Sequence, residues 1–283
     1  VILPGTFATL LLLVLWRPWR RGADPEAEAA AAWGFPLVVG VAILVAFASQ
    51  EWPAAFPFPQ RWQWIAALAA ACTLLGVLAA AIGSPVAALI VSAGGAALTT
   101  GYLIDYGPLA NGVGRVPLAA AAGGLVLLME PLAVRRRGFA LPAAAWMAFT
   151  GLSVAALHAG FAKLSLIAAG ASAAAGAGGV VGLLQPRLSL ARGAMTVLAP
   201  MFVVLLATGW AYEGRQSLGP WPWFLLAAVP VLAWAGLLLR PADGPAATPR
   251  RRFIAAAGGL LLPLLAMLAA VFIAIANAAP ADD

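Results

Sequence analysis

Apolar residues run through this chain in long unbroken stretches, interrupted by short breaks of polar, proline or arginine residues. The stretches fall at about 2–16, 33–49, 64–82, 86–104, 116–134, 139–157, 163–184, 193–212, 221–239 and 253–277. None alternates apolar with polar positions as a membrane barrel strand does. Within a bilayer a backbone finds no water, so a run of this kind must bond to itself as a helix. The expected fold class is therefore all-α. The chain reads as one transmembrane domain over residues 1–283, a polytopic bundle of about ten helices. The first run is shorter than the ~20 residues that normally span the hydrocarbon core. It has neither a basic leader nor a clear cleavage site, and Arg17 follows at once, so a retained helix is expected. The chain begins at Val1 and not at methionine, which points to a start further upstream.

Composition agrees with the pattern. The chain is 64% hydrophobic and 9% charged, with a mean hydropathy of +0.98. Soluble domains carry about 25% charged residues, so lipid must serve as solvent for much of this surface. The net charge of +6 lies in short arginine clusters between the runs. Nucleic acid is not an expected partner; the lipid bilayer is, with other membrane subunits as a further possibility. Arginine dominance among the basic residues, together with the alanine and glycine load, suggests a GC-rich bacterial genome and hence the bacterial cytoplasmic (inner) membrane.

The arginines also orient the bundle. With the loop after the first run in the cytoplasm, the cytoplasmic breaks hold Arg17, Arg20, Arg21, Arg135, Arg136, Arg137, Arg187, Arg192, Arg240, Arg250, Arg251 and Arg252. The other side holds Arg61, Arg115, Lys163 and Arg215. The positive-inside rule then places both termini on the non-cytoplasmic side. Tyr102, Tyr106, Tyr212 and the pairs Trp62/Trp64 and Trp221/Trp223 fall on that outer edge, where an aromatic belt belongs.

Small and kinking residues mark the packing. Gly170, Ala174, Gly178 and Gly182 are spaced four apart on one helix face, a seam that lets another backbone come close. Packing within the chain is the expected use. Pro200, Pro230 and Pro263 fall inside the last three runs, where each would free a carbonyl and kink its helix. Broken helices line substrate paths in many transporters, so a cavity is expected among these three.

Little chemistry is available. Cys72 and His158 are the single cysteine and histidine, which leaves no intrachain disulfide and no multi-histidine or multi-cysteine metal set. Ser153 and His158 are five apart and lack a third group, so no hydrolase triad is expected. No cofactor, metal or catalytic residue is anticipated. Acids avoid the centres of the runs. Glu130 is the nearest exception and is expected to pair with Arg135. Glu51, Arg61, Asp105, Arg115, His158, Lys163, Glu213 and Arg215 gather on the outer side, where they could line a vestibule or dock a partner. Two functions are compatible with this: a small-solute permease with a path near the last three helices, or a non-catalytic structural or accessory subunit of a larger membrane complex.

Overall fold

The computed structural model describes residues 33–51, 57–104, 112–184, 188–211, 218–239 and 249–278, with Thr6, Ala8, Leu10, Leu11, Leu12 and Val14. The described residues form an all-helical bundle: α1 Gly34–Glu51, α2 Trp64–Ala81, α3 Pro85–Leu103, α4 Gly112–Arg135, α5 Ala140–His158, α6 Ala162–Leu184, α7 Ala194–Ala211, α8 Pro220–Leu238, α9 Pro249–Gly259 and α10 Leu261–Asn277. Among them are nine spans long and apolar enough to cross a membrane, the last running from α9 into α10. The run expected at 2–16 lies mostly outside the described residues, although Ala8 and Leu12 are helical and buried.

Local signals set the helix ends. Ser84 caps α3, its Oγ accepting the Ala87 N–H at 3.3 Å, and Pro85 occupies the first turn, where no N–H is needed. Between α5 and α6 the chain reverses in three residues. The Phe161 N–H donates to the Ala156 carbonyl, the Gly160 N–H to that of Leu157, and Gly160 takes φ +80°. This is the Schellman arrangement that glycine favours. The hairpin is laced by a Thr150–Ser172 hydroxyl contact at 2.7 Å and by Ser153 donating to the Ser165 carbonyl at 2.9 Å. That bond occupies the Ser153 hydroxyl in packing.

α7 is the axis of the bundle. It packs against every helix from α1 to α6 and against α8. It is also 72% buried, whereas α3 at the rim is 28% buried. The seam of α6 packs within the chain. Gly170 lies against Ala42 and Ala46 of α1, Gly178 against the Phe35 ring, and Gly182 against the backbone of Gly138 and Phe139, with Ala174 buried between them.

The three prolines differ. Pro200 and Pro230 sit inside continuous α7 and α8. Pro263 does not kink the interior of one helix: the last span is interrupted at Leu260, and Pro263 is the third residue of α10. Proline has no N–H for the carbonyl four residues back, that of Gly259, so the α pattern stops there. The Gly259 carbonyl instead lies against Gly236 of α8, where a Cβ would come within 2.1 Å of it.

Candidate functional site

Three places combine charge, space or polarity. The first is at the arginine-rich end of the bundle, where the segment before α7 folds back into it. Leu188 and Leu190 are buried, and the Leu188 carbonyl accepts the Gly138 N–H at 2.7 Å. Arg192 takes φ +62° and Gly193 φ +114°. A Cβ on Gly193 would lie 2.1 Å from the Gly76 carbonyl oxygen, so the segment rests directly on the backbone of α2.

Glu130 enters here. Its carboxylate Oε1 accepts the backbone N–H of Arg192, two residues before α7, and its Oε2 is buried without a partner among the described residues. The start of a helix presents unbonded N–H groups and a positive dipole end, which favours an acidic acceptor. The expected pair with Arg135 does not form. Five residues along a helix are about 140° apart around it. Glu130 accordingly faces α7 and is buried, while Arg135 is exposed. Arg136 turns inward, its guanidinium donating to the Leu237 carbonyl at the end of α8.

The second place is the opposite end. Lys163 and Glu51 form an ion pair between α6 and α1. Gln63 Nε2 donates to the second oxygen of Glu51 at 3.2 Å, and the Lys163 ammonium stands 5.4 Å from the Trp62 ring centroid. Trp62 in turn packs on Phe47 and Phe161, with centroids at 5.8 and 5.9 Å. Of the predicted outer group, this brings together Glu51 and Lys163. Arg61 lies beside Trp62 in the turn Arg61–Gln63 with its side chain exposed, Arg115 is half-buried in the first turns of α4, and His158 ends α5 half-buried. Asp105, Glu213 and Arg215 lie outside the described residues.

The third is a cleft of about 410 Å³, counting its open mouth. α7 forms its floor through Met195 and Phe202, α4 and α5 its flanks, and Pro230 of α8 its end wall. Every lining residue is apolar. The cavity expected among the last three helices thus draws on α7 and α8, while its other walls are α4 and α5. It stays in the arginine-rich half. Toward the other side, Gly209 of α7 lies against the Trp223 ring.

Sequence reasoning missed the Glu130–Arg192 and Glu51–Lys163 contacts because their members are 62 and 112 residues apart. The available signal was each acid's position at a helix end. No protein-family model, curated protein or solved structure matches the chain.

Proposed function

We propose that this chain is a non-catalytic structural or accessory subunit of a larger membrane complex, in the bacterial cytoplasmic membrane. The observation that carries the reading is the close packing of glycines between helices. Glycines meet opposing backbone at Gly76–Gly193 and Gly236–Gly259, and Gly209 seats the Trp223 ring. Such contacts fix helices in one relative position, which suits a rigid platform better than a path that must open and close. At the other end, exposed Arg61 and half-exposed Lys163, set over the buried Trp62 ring, are then available for docking a neighbour.

The test is gentle extraction from the native membrane, two chromatographic steps of different principle, and mass measurement of the intact particle. Distinct membrane subunits at fixed stoichiometry support the reading. A solitary protein that moves a solute when reconstituted into liposomes overturns it.

One observation favours a small-solute permease instead: Pro230 lines the cleft together with α7. A flux in liposomes that is blocked by Ala199→Trp, which fills the cleft, would establish that alternative.

A further inference from the structure

We propose that the cleft between α4 and α5 holds one acyl chain of an anionic phospholipid whose headgroup rests on the Arg135–Arg137 turn. α4 and α5 follow one another along the chain, yet they barely touch. The space between them is the cleft, and it is apolar throughout. A water there would find no hydrogen-bond partner, so a hydrocarbon occupant suits it. Two half-buried lining residues, Leu125 on α4 and Ala145 on α5, mark the mouth. They are the partly exposed members of the lining, the others being buried, so the cleft opens on the side of α4 and α5.

Its depth fits as well. At 1.5 Å of rise per residue, Met129 and Leu125 lie about 9 and 15 Å below Arg135. On α5, Leu141 and Ala148 lie about 2 and 12 Å beyond the first helical residue, Ala140, by the same rule. The cleft therefore starts just beneath the arginines and runs along the helices, the direction an acyl chain takes in a bilayer.

Charge at the upper end selects the headgroup. Arg135 and Arg137 are exposed on the turn, and Arg136 donates to the Leu237 carbonyl at the α8 carboxyl end. Guanidinium groups match phosphate oxygens two at a time. The neighbouring acid, Glu130, is buried and turned to the Arg192 backbone, so it does not offset Arg135 at the surface. Basic residues above an apolar groove between helices are the arrangement that holds anionic lipids.

The experiment uses the whole protein in phosphatidylcholine nanodiscs with a trace of photoreactive lipid. The diazirine sits in the upper third of one acyl chain, on phosphatidylglycerol or on phosphatidylcholine. Mass spectrometry maps the adducts. The glycerol lipid is expected to label the segments around Met129, Ala145 and Met195 about tenfold more than the choline lipid. The variant Arg135→Gln should bring the two lipids level without disturbing the fold, because that side chain is exposed. Ala145→Phe should remove cleft labelling by either lipid and leave labelling of the outer face at Leu98 unchanged. Equal labelling of the cleft by both lipids in the unaltered protein overturns the proposal, and so does labelling confined to the outer face.

Discussion

Glu130 and Arg192 meet through the backbone and not through their opposite charges: the carboxylate accepts the N–H of Arg192, two residues before α7. An acid on one helix thus completes the start of another. Removing it should uncover a buried donor, a loss of about 1–3 kcal/mol. Glu130→Ala is therefore expected to lower the melting temperature in detergent clearly more than Glu130→Gln, whose amide oxygen can still accept. Equal losses would assign the effect to charge alone.

The same contact makes a second prediction about its partner. Arg192 holds a left-handed conformation that costs an L-residue about 1–2 kcal/mol. Since its backbone donates, Arg192→Gly should leave the melting temperature unchanged or raise it. A large drop would mean that the guanidinium holds the segment in place.

Glycines divide by what surrounds them. Gly193→Ala and Gly236→Ala each press a methyl group to 2.1 Å from a carbonyl oxygen, and neither backbone can yield easily. Losses of about 1–3 kcal/mol or more are expected. Gly124, on α4, has open space where its Cβ would be. Gly124→Ala should stay within about 0.5 kcal/mol of the parent. Thermal melts of the three variants side by side check the ranking.

Helices and their ends were legible from sequence for a physical reason. Lipid forces each apolar run to be a helix, and charges, prolines and glycines mark where it leaves the lipid. The start expected at 86 is Pro85, and the end expected at 184 is Leu184. Pro263 was harder, because the break it causes appears at Leu260, three residues earlier. The candidate sites were legible only in part. An acid near a helix end announces that it needs a partner and does not say which: Glu130 takes the backbone amide of Arg192, just before α7, over the side chain of Arg135 on its own helix. Lys163 stood out as the single lysine, but its partner Glu51 lies on a helix that only the folded bundle brings alongside.

At the opposite end, the ring beneath the ion pair should matter more than the pair. Trp62 is 8% exposed and touches two other rings, so Trp62→Ala should cost about 3–5 kcal/mol. Lys163 is half-exposed, and ion pairs of that kind contribute little. Lys163→Met should cost much less than Trp62→Ala, as chemical or thermal unfolding would reveal.

Orientation can be read with single cysteines. After Cys72→Ala, a cysteine at Gly219 is expected to react with a membrane-impermeant maleimide added to intact cells. One at Ala246 should react only after the membrane is opened. Labelling of Ala246→Cys from outside would reverse the assignment drawn from the arginines.

The reliance of Glu130 on α7 also sets an order of events. When α4 emerges during synthesis, the amide that Glu130 will accept from has not yet been made, since it lies 62 residues further on. Until then the carboxylate must wait at the bilayer edge, among headgroups and water. α4 can take its final depth only after two more helices have inserted and the folded-back segment has arrived. Assembly of this bundle is thus timed by α7, and a chain stalled before α7 would leave an acid stranded at the membrane surface.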